Sequence, residues 1–168
     1  MEITVLQHRE PNSIERTPRW ALNSLLRSRL GHLACSTGRG GTPLVIPICY
    51  AFDGSMIYSA IDEKPKSTEP LALRRVSNII QNSRVCFIVD AYYEDWRRLQ
   101  YVLVHGTAVL LTEGRDFDAA ISLLRRKYRQ YKSMRLEARP IIEIKPLRIV
   151  AWRSRDAKVI RRPSAQGM

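Results

Sequence analysis

Between Gly31 and Ile61 the chain reads GHLACS, TGRGGTP, LVIPICYAF, DGS and MIYSAI, three strand-like apolar runs joined only by turn residues. Connections this short make neighbouring strands fold back on one another as antiparallel pairs. LVIPICYAF reads as one long strand, in which Pro47 demands an edge or a bulge because it has no N–H to give a ladder. DGS turns it back into MIYSAI as a hairpin.

The rest of the chain fits around these pairs. RWALNSLLRSRL places Trp20, Leu22, Leu25, Leu26 and Leu30 near a helical stripe. TEPLALRRVSNIIQN reads as a helix with Thr68 as N-cap, Pro70 in the first turn, and Leu73, Val76 and Ile80 on one face. RVCFIVDAY is a buried strand rich in β-branched and aromatic residues. EDWRRLQ turns into the long strand YVLVHGTAVLL, interrupted by Gly106. DFDAAISLLRRKYRQY is an amphipathic helix with Phe117, Ile121, Leu124 and Tyr128 inward. PIIEIKPLRIVAW supplies one or two last strands, divided near Pro146. Helices inserted between hairpin-linked strands predict a mainly β chain, an antiparallel barrel with packed helices rather than a doubly wound sheet.

The 168 residues, 45% of them apolar, suit one domain over 1–168, with 1–18 an N-terminal arm and 154–168 a basic C-terminal tail. No run approaches the roughly 18 apolar residues of a membrane span. MEITVLQHREPNSIERTPRW lacks the apolar core of a secretory signal, so the expected location is cytoplasmic. Cys35, Cys49 and Cys86 each sit in an apolar run without C-x-x-C spacing. They read as buried reduced thiols, not metal ligands.

The net charge of +12 calls for an anionic partner, either nucleic acid or a phosphate-bearing small molecule. Much of the excess lies in RRKYRQYKSMR and RSRDAKVIRR, which read equally well as a wet helix face and a frayed tail. MIYSAIDEKPKST is more specific. Here an apolar strand runs straight into Lys64, Lys66, Ser67 and Thr68, followed by a helix start. A helix N-terminus favours an anion by roughly 0.3–1 kcal/mol. The lysines add charge, the hydroxyls add donors, and Pro65 limits the loop's freedom. Arg74 and Arg75 stand where they can close over the same anion. The loop is not a Walker cradle, and a solvated charge run is its plainer reading. Val45, Pro47, Ile48, Tyr58, Ser59 and Ala60 on the adjoining strands offer a platform for a flat ring, or simply a barrel wall.

In this order the segments become recognisable. GHLACSTGRGGTPLVIPICYAFDGSMIYSAIDEKPKS, then LRRVSNIIQNSRVCFIVDAY, then VLVHGTAVLL, resembles the pyridoxamine 5'-phosphate oxidase-like family of FMN-binding split barrels. The likeness runs from about Leu30 to Trp152, and DEKPK and YYEDWRRL look like a branch of coenzyme F420-dependent oxidoreductases. The resemblance implies a split antiparallel β-barrel, a homodimer with two cofactor sites at its interface, and hydride chemistry carried by FMN or coenzyme F420. Carried over by position, Lys64, Lys66, Ser67 and Thr68 would take the cofactor phosphate. Val45, Pro47, Ile48, Ser59 and Ala60 would line the ring, and Trp96, Arg97 and Trp152 would approach from the partner subunit or the pocket rim. The C-terminal R-x-H motif of true pyridoxamine-phosphate oxidases is missing from VAWRSRDAKVIRRPS, so that activity is not expected.

The resemblance names no catalytic acid or base. His32 and His105 read as structural, since no Asp, Glu or Cys stands at a telling spacing from either. Tyr92, Tyr93 and Asp95 beside Trp96 are placed to shape substrate access. A polyglutamate tail on coenzyme F420 would suit Arg39, Arg74, Arg75, Arg97 and Arg98. Two other readings lack catalysis. One is a nucleic-acid-binding barrel using the aromatics and arginines of DAYYEDWRRLQY, which ranks below the small anionic cofactor. The other is a cofactor- or haem-storing barrel with His8, His32 and His105 as its axial candidates.

Overall fold

Asp53 builds the hairpin turn expected at DGS: its Oδ1 accepts the N–H groups of Ser55 and Met56, both at 2.7 Å, while Gly54 takes φ 105°. The positive φ is one a side chain resists, which is why glycine stands there. In the computed structural model, which describes residues 4–5, 14–38, 40–61 and 73–154, the strands around this turn form one sheet. They are β1 (Thr4–Val5), β2 (Gly31–Cys35), β3 (Leu44–Ile48), β4 (Ala51–Phe52), β5 (Ile57–Ala60), β6 (Arg84–Ala91), β7 (Gln100–Leu111) and β8 (Ile141–Arg153). Helices α1 (Arg19–Arg27), α2 (Arg74–Gln81) and α3 (Arg115–Lys127) are inserted between them. All the described strand pairs are antiparallel, so the fold is the mainly β split barrel expected.

Strand order explains the barrel. The sheet runs β3-β2-β6-β7-β8-β5-β4, with β1 pairing separately to β8. β3 and β4 therefore lie at opposite ends of the sheet, yet only Cys49 and Tyr50 separate them along the chain. The three steps from Ile48 to Ala51 span at most about 11 Å. The sheet must curl until its ends meet, leaving a seam there.

LVIPICYAF is consequently two strands and not the single one expected. Tyr50 causes the break: its N–H donates to the Tyr128 hydroxyl at 3.0 Å, and its own hydroxyl donates to the Leu25 carbonyl at 2.6 Å. Pro47 sits in the end strand β3, as its missing N–H requires.

Alternation along the strands divides the core in two. Leu33, Phe87, Val102, Val104, Ile144 and Ile149 fill the barrel, which Ala21 and Leu25 of α1 and Val76 and Ile79 of α2 also line. Phe117, Ala120, Ile121 and Leu124 of α3 pack on Tyr58, Ala60 and Ile141. Each large side chain so buried contributes about 1.5–3 kcal/mol.

Three local expectations change. α1 stops at Arg27 and not Leu30. α2 starts at Arg74 with Leu73 as its N-cap, and Thr68, expected there, lies outside the described residues. On α2 it is Ile79 that turns inward, while Ile80 is 65% exposed. The buried face is centred on Val76, Ile79 and Asn78, whose Nδ2 donates to Cys35 Sγ at 3.7 Å. One residue further on rotates by about 100°, out of that face. PIIEIKPLRIVAW is one continuous strand, irregular where Gly106 pairs with Pro146 and His105 with Arg148.

Candidate functional site

The seam is bordered by the strands on which the sequence places a ring. Val45 is 62% exposed on the outer side of β3, as is its neighbour Pro47, whereas Ile48 turns into the core. Across the seam Ser59 and Ala60 are enclosed, and Ser59 Oγ donates to the Cys49 carbonyl at 2.9 Å. That bond brings β5 against the end of β3. Just beyond β5 the Ile61 N–H reaches the Pro140 carbonyl at 3.4 Å. Lys64, Lys66, Ser67 and Thr68 lie outside the described residues, as does Arg39.

Trp96, Arg97 and Trp152 stand elsewhere in the protomer. Trp152 stacks on Tyr101, its partner across β7 and β8, with ring centroids 5.6 Å apart. β8 meets Ser59 through Ile142, ten residues earlier in the strand and so about 30 Å away along it. Trp96 is 68% exposed on a 3-10 turn, Trp96–Arg98. Arg97 closes a two-point pair with Asp95 at 2.8 and 3.0 Å, which holds that carboxyl below its usual range. Arg98 lies 4.1 Å over the Tyr93 ring, and with Arg97 and Arg153 these residues line a cleft of about 210 Å³.

On the outer face of β7 and β8, α3 packs at the Leu111 and Ile141 end. Register aligns Pro47, His32, Ile88, Leu103 and Val150 in one row, and Val45, Ala34, Cys86, His105 and Arg148 in the next. Leu147 is 50% exposed at its edge. The second row corrects the reading of His105 as lacking a cysteine neighbour: Cys86 Sγ is 3.2 Å from His105 Nδ1. Burial raises the Cys86 pKa, so this is a thiol against an imidazole and not an activated thiolate. The two residues are far apart in sequence and meet only through strand pairing, which local spacing cannot reveal. Among the described residues no group of His, Cys, Asp and Glu is arranged to hold a metal ion. No described helix is long and apolar enough to cross a membrane.

A family model described as pyridoxamine 5'-phosphate oxidase matches residues 19–154, which takes in α1 and the strands from β2 to β8. The chain belongs to the pyridoxamine 5'-phosphate oxidase family. Among solved structures similar to this family member is a FAD-binding protein from Mesorhizobium loti, 21% identical, covering 90% of this chain and 97% of that one with a TM-score of 0.60. Another is a conserved hypothetical protein from Mycobacterium tuberculosis, 18% identical, covering 88% and 91% with a TM-score of 0.67. A third is an F420 reductase, 21% identical, covering 79% and 98% with a TM-score of 0.57. Identities this low carry the fold alone. No functionally curated protein matches the chain.

In this family member, one feature near the seam escapes any reading of the sequence. A cavity of about 320 Å³ is walled by Arg29, Leu30, Cys49, Tyr128, Tyr131 and Met134. These come from the α1–β2 connection, the β3–β4 link and the residues after α3, and no motif joins them. Cys49, read as simply buried, is a half-exposed thiol of that wall.

Proposed function

We propose that the protein is an oxidoreductase that holds FMN or coenzyme F420 and exchanges hydride with a small organic substrate. The observation that supports this best is the open seam of a pyridoxamine 5'-phosphate oxidase-family barrel, bordered by Val45, Pro47, Ile48, Ser59 and Ala60. Structures of the same fold include a FAD-binding protein and an F420 reductase. The flavin or deazaflavin supplies the hydride chemistry when bound. The residues fit a flat ring. Val45 and Pro47 face outward, and the open side of β3 is where a proline's missing N–H costs nothing. By ladder alternation Val45 turns its own N–H and carbonyl to that side, a donor and an acceptor for a ring edge. Lys64 is four residues from Ala60, so at most about 14 Å of chain separates it from the seam. In this proposal Lys64, Lys66, Ser67 and Thr68 grip the phosphate, and the protein works in the cytoplasm.

The test is a titration of wild type and the Lys64→Ala/Lys66→Ala double variant with FMN and with coenzyme F420, read by absorbance and calorimetry. Wild type should prefer one cofactor clearly, and the double variant should bind it about ten-fold or more weakly, the effect of a lost charge-assisted contact. Unchanged affinity would remove the phosphate loop, and binding of neither cofactor would remove the redox function.

The same proposal includes a homodimer. The outer face, apolar at Val45, Pro47, Ile88 and Leu103, suits a second copy, which would bring Trp96, Arg97 and Trp152 to the seam they do not reach in their own protomer. Wild type should sediment as a dimer and Leu103→Glu as a monomer with weakened cofactor binding. A cofactor-loaded wild-type monomer would contradict it.

A further inference from the structure

The cavity beside α3 has the size and lining of a ligand site and an electrostatic character that its own residues leave unbalanced. Its volume, about 320 Å³, lies at the lower end of the roughly 300–1,000 Å³ of small-molecule pockets. Leu30, Tyr131 and Met134 give it apolar walls. Two cations flank the Tyr128 ring. The Arg29 guanidinium carbon is 4.8 Å from its centroid, and the Lys127 ammonium is 5.9 Å from it and 4.1 Å from the centroid of Tyr50.

Lys127 Nζ is shielded from solvent and has no hydrogen-bond partner among the described residues. A buried ammonium set against aromatic rings is poorly compensated, because cation–π contacts do not replace an acceptor. Burial foremost, and then the charge of Arg29, pull its pKa down to about 8, opposed by Cys49. The described ion pairs, Arg97–Asp95 and Arg125–Glu137, involve neither Arg29 nor Lys127. Positive charge therefore collects at the end of a largely apolar cavity, with no ion-paired acid among the described residues to balance it.

The wall also limits what charge the site can take. The Tyr128 hydroxyl is already committed, lying 2.6 Å from the Arg29 carbonyl and 2.7 Å from that of Tyr50. Arg29 alone offers a cationic head in the wall, while Lys127 acts from behind it. One such head matches a single negative charge, and a phosphate dianion would leave its second charge without a cation in the wall, where Gln130 adds only a neutral amide.

We propose that this cavity binds a small carboxylic acid with an aryl or short alkyl body, its carboxylate paired with Arg29 and stabilised at longer range by Lys127. Binding does not depend on the redox function. If that function holds, the inference names the class of substrate.

The experiment uses the full chain without cofactor at pH 7. Benzoate and hexanoate are titrated by calorimetry beside the neutral benzamide and hexanamide, and beside phenyl phosphate. The acids should bind about ten-fold or more tightly than their amides, and more tightly than phenyl phosphate. Arg29→Gln, at an exposed position, should bring the acids to the level of the amides and leave the amides unchanged. Lys127→Met should weaken the acids by a smaller factor. Bound acid should also slow alkylation of Cys49 by N-ethylmaleimide, read by peptide mass, which locates the ligand in the wild-type fold. Equal binding of acid and amide, acid binding that survives Arg29→Gln, tighter binding of phenyl phosphate, or no binding and no protection of Cys49 would each overturn the inference. Cofactor titration separates the two proposals. Cofactor binding without acid binding sinks only this one, and acid binding without cofactor binding sinks only the redox function.

Discussion

Tyr128→Phe is expected to lower the free energy of unfolding by about 2–3 kcal/mol, the cost of leaving buried backbone groups without partners. The Tyr128 hydroxyl accepts the Tyr50 N–H at 3.0 Å and lies within hydrogen-bond reach of two carbonyls, Arg29 at 2.6 Å and Tyr50 at 2.7 Å. It has one proton, so it serves one carbonyl at a time, while its lone pair always serves the N–H. Phenylalanine keeps the ring and removes all three contacts at the link where the sheet's two ends meet. Burial pushes the Tyr128 pKa up to about 12, above the unfolded value near 10. A raised acid pKa gives stability that is complete below pH 10 and lost as pH rises toward 12. Urea unfolding at pH 7 and pH 11 checks both statements. A variant within about 0.5 kcal/mol of wild type at pH 7 would show that water replaces the hydroxyl and that the link is not held from α3.

Gly106→Val is expected to cost about 3 kcal/mol or more, because a Cβ there meets backbone and not a movable side chain. An atom added to Gly106 would run into the Lys145 carbonyl oxygen, and the Ile144 side chain stands close behind. Gly106 is where the β7–β8 pairing shifts, its neighbour His105 facing Arg148 while Gly106 itself faces Pro146. Leu147 is thus the extra residue of a bulge, and the strands close around it only if the opposite position has no side chain. For a chain of this size the loss corresponds to roughly 6–12 °C in Tm, read by thermal scanning. An unchanged Tm would mean that the bulge can slide without loss of pairing.

The sequence legible to elementary rules covers the elements and their faces better than their meeting points. The apolar run RVCFIVDAY marks a buried strand, and β6 is one, but only the structure shows that Val85, Phe87 and Val89 are its inward residues, because Cys86 and Ile88 between them are apolar too. Helix phase was less secure: Val76 is compatible with either Ile79 or Ile80 as its inward neighbour, and only the packing against the barrel selects Ile79. Pro47 announces an edge strand by its missing N–H. It cannot announce that the strand ends two residues before the chain joins the opposite end of the sheet.

What the amino acids determine unaided is therefore local: the apolar runs that become strands, and their antiparallel pairing, from connections too short to cross over. The family follows from the order of those pieces across residues 19–154. Which distant residues become neighbours was decided by strand register and by closure of the sheet. Cys86 meets His105 through the β6–β7 register, and Arg29, Cys49 and Tyr128 share a wall where β3 joins β4. A register and a curvature belong to the whole sheet, set by the summed packing of many side chains, and no short stretch of chain contains them.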